Sequence, residues 1–228
     1  MAFREQELRL RQLWNYSSEH NVLFVHIPKN AGSSIRDELG ITKSAHYPLS
    51  VLQSQMDKET FDNAIKIAVF RNPWERMVSW YRYRQQKNQD PKDIGFSIWL
   101  RDGRAQYNME VYDSLPQIKW CTKLDSTKLH KSLDYIINFE HVNEQWEELC
   151  EIENINVKKL PKTNSTGIYD YTEYYNILED VTLVKNMFRS DIDVLDYDFG
   201  IPNNFPLLKG ESEINEFQQR NQRVYYNR

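Results

Sequence analysis

The run VLFVHIPKNAGSSIRDELG, Val22 to Gly40, passes from an apolar segment through Pro28, Lys29 and Gly32 into a helical pattern that opens on two serines. It predicts a strand, a tight loop and a helix, the unit from which α/β folds with ligands at strand C-terminal ends are built. Gly32 has no Cβ, so the backbone there can turn sharply and let an anion approach its N–H groups. Ser33 and Ser34 fall at the helix N-terminus, where unpaired N–H donors and the positive end of the helix dipole favour a phosphate. Lys29 adds a mobile charge, and Asn30 and Ala31 complete the loop. The plain alternative is an ordinary strand-to-helix turn with a surface lysine. The order of residues is not that of an ATP-binding P-loop, in which Gly-Lys-Ser/Thr follows a Gly-x4 spacer; here the lysine precedes the glycine.

A second strand, turn and helix is predicted in KIAVFRNPWERMVSWYRYR, with Ile65 to Phe70 as the strand and Arg71 at its C-terminal end. Asn72 is a favoured N-cap and Pro73 suits the first helical position. Trp74, Val78 and Tyr81 recur at helical spacing and are expected on the sheet, leaving Arg76, Ser79 and Tyr83 on a face that is free to meet a ligand. The planar guanidinium of Arg71 is suited to donating two parallel hydrogen bonds to a phosphate, which makes it a second anion anchor.

Taken together, HIPKNAGSS and RNPWERMVSWYRY resemble the paired signatures of the sulfotransferases that use 3′-phosphoadenosine 5′-phosphosulfate (PAPS), in the carbohydrate (heparan/chondroitin-type) branch. The resemblance runs with gaps from about Val22 to Gly200. It includes LPQIKWC (Leu115 to Cys121), similar to a family segment near the acceptor cleft, YIINFEHVNEQWEEL, and a C-terminal pattern from LPKTNSTG onward. It implies that Lys29, Asn30, Ala31, Gly32, Ser33 and Ser34 bind the 5′-phosphosulfate and that Arg71 and Ser79 bind the 3′-phosphate. It also places Lys162, Asn164, Ser165 and Thr166 near the adenine or the 3′-phosphate, although a plain Asn/Ser/Gly turn fits that stretch nearly as well. With Asn72 as cap, Ser79 lies about 10 Å along the helix at roughly 1.5 Å per residue, so Arg71 must reach along it for both to touch one phosphate.

The implied reaction transfers a sulfuryl group from PAPS to an acceptor hydroxyl, a carbohydrate being the expected acceptor and PAP the product, with no metal required. Lys29 would offset charge growing on the departing phosphate. His46, in KSAHYPLS after the first helix, matches the place of a catalytic histidine in relatives, and imidazole suits proton abstraction from an alcohol. His26 reads as packing or hydrogen bonding beneath the loop. Glu140 either orients a catalytic group or caps the helix at His141, the cap being the simpler reading. Trp120, Tyr174 and Tyr175 read as core rather than as stacking platforms.

The chain of 228 residues suits a single domain spanning 1–228, with 1–20 as an N-terminal helical extension and 211–228 as a C-terminal tail. The expected fold is α/β, a P-loop kinase-like three-layer sandwich with a mainly parallel central sheet. The net charge of −4 and the lack of a long basic block argue against nucleic acid as a partner. Arg82, Arg84 and Lys87 form a local basic patch, either a solvated helix end or a surface for an anionic acceptor. No run approaches the roughly 20 apolar residues of a membrane span, and MAFREQELRLRQLW lacks the apolar core of a signal peptide, so a cytoplasmic location is expected. Cys121 and Cys150 are too few for a disulfide framework. The sequons at Asn15 and Asn164 matter only on secretion.

Three rivals stand beside this reading. Sulfation of a small-molecule or lipid hydroxyl keeps the chemistry and changes the acceptor. A P-loop kinase is disfavoured by the lysine's position and by Arg71 standing where a magnesium-binding aspartate often ends a strand. A noncatalytic PAP-binding or partner-docking protein would keep the fold and lose the reaction.

Overall fold

The computed structural model describes residues 13–103, 115–122, 133–156, 159–160 and 169–226. Strand β1 (Tyr16–Ser17) leads to β2 (Val22–Val25), followed by helices α1 (Gly32–Glu38), α2 (Leu49–Gln55) and α3 (Lys58–Asn63). Next come β3 (Ile65–Phe70), α4 (Pro73–Gln86), α5 (Phe96–Arg101) and α6 (Gln117–Trp120). Strand β4 (Tyr135–Asn138), a short 3-10 turn (Phe139–His141) and α7 (Val142–Ile152) come next, then a second 3-10 turn (Tyr171–Tyr174), α8 (Leu178–Met187) and α9 (Arg189–Leu195). Strand β5 (Leu208–Lys209) and α10 (Gly210–Tyr226) end the described chain.

The sheet order is β1-β2-β3-β4-β5. The three longer strands are parallel, with Phe24 opposite Ile67 and Ala68 opposite Ile136. The sheet is mainly parallel, through β2, β3 and β4, and the two-residue edge strands β1 and β5 pair antiparallel. Tyr16 and Ser17 also show that the end of the segment expected as a helical extension is a strand; the amphipathic pattern from Phe3 lies outside the described residues up to Leu13.

Strand residues alternate between two cores, as a period of two requires. Leu23, Val25, Ala68, Phe70 and Ile136 face one core with Trp74, Met77 and Val78 of α4. Val22, Phe24, Ile67, Val69 and Ile137 face the other with Ile35 of α1, Leu39 just after it, and Trp146 and Leu149 of α7. Helices therefore cover both faces, and buried apolar side chains at about 1.5–3 kcal/mol each hold the layers together. Parallel pairing puts the ends of β2, β3 and β4 on one rim of the sheet, where Pro28, Arg71 and Phe139 begin the loops that make the site.

The segment expected as a C-terminal tail forms helix α10, and its Ile214 is buried in the first core. Asn15 is fully buried, its amide donating to the Ala45 carbonyl and its Oδ1 accepting from the Ala45 N–H, so that sequon is closed to modification in the folded chain.

Candidate active site

The loop after β2 is bent by two residues in the left-handed region, Lys29 at φ 72° and Ala31 at φ 55°, with Asn30 between them. Alternating signs of φ turn successive N–H groups toward one concave side, the backbone arrangement that binds anions. Left-handed non-glycine residues cost about 1–2 kcal/mol each, so the loop persists only because its neighbours dictate it. Arg71 Nη1 donates to the Lys29 carbonyl at 2.8 Å, and Arg76 Nε donates to the Pro28 carbonyl at 3.1 Å. Asn30 Nδ2 donates to the Val69 carbonyl at 2.7 Å and to Gln117 Oε1 at 2.6 Å, tying the loop to β3 and α6.

Gln117 is the hub beneath the loop. Its Oε1 also accepts from the Arg71 N–H at 3.0 Å, and its Nε2 donates to the Arg71 carbonyl at 2.9 Å. Asp191 of α9 accepts from the Gln117 and Ile118 N–H groups at 2.7 and 2.9 Å, and burial pushes its carboxyl up to about 6 despite those bonds.

The second loop starts at Arg71, only 6 % exposed. Its Nη2 donates to Glu75 at 2.8 Å and to the Tyr169 hydroxyl at 3.2 Å, and the guanidinium lies 4.0 Å from the centre of the Phe139 ring. Burial works against its charge, but the Glu75 carboxylate, Tyr169 and Glu140 outweigh it and hold the pKa above the ordinary value. Arg71 Nε is buried and has no hydrogen-bond partner among the described residues. Asn72 caps α4 as its sequence predicts, Oδ1 accepting from the Trp74 and Glu75 N–H groups, with Pro73 at the first position.

The Lys29 ammonium sits 4.1 Å from the centre of the Tyr83 ring. Burial, and then repulsion from Arg71, push its pKa down to about 8. Beneath the loop, His26 Nδ1 is 2.9 Å from Ser44 Oγ, and its ring meets His46 edge to face at 4.6 Å between centroids. Burial is the main reason that His26 is lowered to about 3, so it is neutral at any ordinary pH; His46 and Arg36 add to the effect.

A family model described as the sulfotransferase family matches residues 14–198. The chain belongs to the sulfotransferase family. Sulfuryl transfer is therefore its reaction class, and a hydroxyl-bearing acceptor goes with it. No curated protein and no solved structure matches the chain.

The sulfotransferase brings Lys29, Asn30, Ala31, Gly32, Ser33, Ser34 and Arg71 to one rim, and it places His46 beside His26 under the first loop. Ser34 is buried and Ser33 half-buried at the start of α1. Arg71 extends along α4 as far as Glu75, one turn on, and Ser79, 4 % exposed, lies a further turn along. Lys162, Asn164, Ser165 and Thr166 lie outside the described residues.

Several sequence expectations need correction. Gly32 is required by packing as well as by any ligand, because the His26 ring fills the space a side chain there would take. Left-handed φ in the loop falls on Lys29 and Ala31 instead. Arg76 and Ser79 do not form a face free for a ligand; they are buried, and Arg76 grips Pro28. Arg84 leaves the basic patch, because it is buried in a two-pronged pair with Asp90, 2.6 Å from Nε and 3.1 Å from Nη2. Glu140 is not a helix cap. Asn138 Oδ1 accepts from the Glu140 N–H, while Glu140 Oε1 accepts from the Asn72 N–H at 3.1 Å. Burial pushes the Glu140 carboxyl up to about 7.

Gln117, Asp191, Glu75 and Tyr169 are working parts that motif reading passed over. LPQIKWC marked the segment of Gln117, but nothing local says that a glutamine in a four-residue helix will bridge two strand-end loops.

Proposed function

We propose that this sulfotransferase moves a sulfuryl group from PAPS to a carbohydrate hydroxyl by direct in-line displacement. The observation that carries the reading is the turn of backbone N–H groups at residues 29–32, backed by the half-buried Lys29 and the buried Arg71. A lysine pushed down to about 8 by burial and by a neighbouring arginine is a site that gains from an anion. The buried Nε of Arg71, which has no partner among the described residues, is a further donor of the right kind. These residues fit a phosphosulfate nucleotide.

PAPS would supply the sulfuryl group together with a phosphate as leaving group. The loop N–H groups and the Ser33 and Ser34 hydroxyls would hold the 5′ end, and Arg71 the 3′-phosphate. Lys162, Asn164, Ser165 and Thr166 would complete the nucleotide site. Lys29 neutralises negative charge at the reacting end. His46 takes the proton from the acceptor hydroxyl, and His26, neutral and tied to Ser44, forms the wall against which that imidazole rests.

The carbohydrate half of the reading is supported by the motif resemblance and by the surface beside Lys29. There Tyr83, Tyr169 and Tyr174 are half-buried and Arg82 lies 4.3 Å from the Tyr169 ring centre, a set of aromatic faces and donors suited to a sugar.

The direct test incubates the chain with sulfur-labelled PAPS and a panel of oligosaccharides, phenols and sterols. The reading predicts label on an oligosaccharide and its loss in Lys29→Ala and His46→Ala. Label on phenols or sterols alone would move the acceptor to the small-molecule class. PAP binding without transfer to any acceptor would make the chain a noncatalytic binder.

A further inference from the structure

Helix α4 runs beneath the first loop in a fixed register. Its residues 72, 76, 79 and 83 recur at three- and four-residue spacing, so they share one face. Asn72 begins the helix, Arg76 holds the Pro28 carbonyl, and Tyr83, nearly two turns further on, lies under the Lys29 ammonium. The loop backbone is thus pinned at Pro28 and Lys29 by two arginines, while the end of the Lys29 side chain is met by an aromatic face.

That contact is chemically pointed. Lys29 is mostly buried, and Arg71, whose guanidinium holds the Lys29 carbonyl, repels its charge. Among the described groups near it, Lys87 lies 5.8 Å from the same Tyr83 ring, adding more positive charge. Arg82, further along α4, is engaged with the Tyr169 ring and donates to the Tyr174 hydroxyl at 2.5 Å. Glu75, the carboxylate on this side of α4, is committed to Arg71. The electron-rich face of Tyr83 is what offsets the crowding of cations, because the ring quadrupole attracts a cation within about 6 Å of its centre.

We propose that Tyr83 is the positioning residue for Lys29: its ring holds the ammonium charged and on the ligand side of the loop, ready for the reacting phosphosulfate. This rests on the reading of Lys29 given above. Tyr83 acts through Lys29 and is not itself a catalytic residue. The contact needs the ring and not the hydroxyl, so phenylalanine should serve in its place and an aliphatic side chain should not.

The experiment compares the wild type with Tyr83→Phe, Tyr83→Leu and Lys29→Ala, each first checked for a cooperative thermal transition. In the free protein, carbon-labelled lysine spectra follow the Lys29 side chain through pH 6 to 11, assigned by its loss in Lys29→Ala. Wild type and Tyr83→Phe should show Lys29 methylene protons shifted upfield by the ring, titrating alike; Tyr83→Leu should lose the ring shift and titrate at lower pH. Calorimetry with PAP at pH 7 should then show Tyr83→Phe within about twofold of wild type and Tyr83→Leu weaker by roughly 3- to 10-fold. Tyr83→Leu matching wild type in both measurements, or Tyr83→Phe behaving as Tyr83→Leu, would overturn the inference. Wild-type protein that ignores PAP would overturn the donor assignment instead, and the ligand-free titration would still decide the Tyr83 contact.

Discussion

His26 and Gly32 share a space that holds one ring and no second side chain: a Cβ on residue 32 would lie 2.0 Å from both Cδ2 and Nε2 of His26. Because His26 is buried and tied to Ser44, its ring has no open side to swing into. Gly32→Ala should therefore destabilise the fold by about 1–3 kcal/mol, the usual cost of overpacking. Thermal melts of Gly32→Ala, His26→Ala and the double variant check this. The double variant should lose less than the sum of the two single losses, and strict additivity would sink the shared-space account.

The same histidine sets a pH dependence. Its pKa is about 3 in the folded chain against 6.5 in the unfolded one, so below pH 6.5 the unfolded state takes up a proton that the folded state refuses. Stability is then lost as pH falls from 6.5 toward 3, by roughly 2 kcal/mol at pH 5. Glu140 and Asp191, whose pKa values are raised, slope the opposite way, which makes the difference between wild type and His26→Phe the informative quantity. Urea midpoints at pH 7.5, 6 and 5 should converge between the two proteins as pH drops. A constant gap would show that His26 titrates normally.

Gln117 tests whether the two loops are held as one piece. Gln117→Leu leaves Asn30 Nδ2 with the Val69 carbonyl alone and strands the Arg71 N–H and C=O, at about 1–3 kcal/mol for each buried group left unmet. We expect a stability loss of about 2–4 kcal/mol together with faster amide exchange at Asn30 and Ala31. Exchange confined to α6, with the first loop unchanged, would mean that the hub does not reach the site.

The elements that carry the site were legible because their signals are local. The apolar run to Val25 with its loop, the run Ile65 to Phe70, and Asn72-Pro73 opening a helix describe β2, the start of α1, β3 and the start of α4 closely. What stayed hidden depends on partners far along the chain. Arg84 looks like a surface charge until Asp90 and Trp99 are folded around it. Glu140 looks like a cap until the Asn72 N–H arrives from the neighbouring strand. The antiparallel edges are two residues each, too short for any periodicity, and the burial of Ile214 in α10 follows from packing that the polar C-terminal sequence does not announce.

The central claim is a site made for a nucleotide carrying a 3′-phosphate, and calorimetric titration with PAP, ADP and ATP in the absence of metal tests it most directly. The account predicts that PAP binds about 10- to 100-fold more tightly than ADP or ATP, the worth of charged hydrogen bonds to a phosphate at the 3′ position, which ADP and ATP lack. That affinity should fall between pH 7 and pH 9 as Lys29, titrating near 8, gives up its charge. Equal affinity for the three nucleotides, or a preference for ATP, would contradict it.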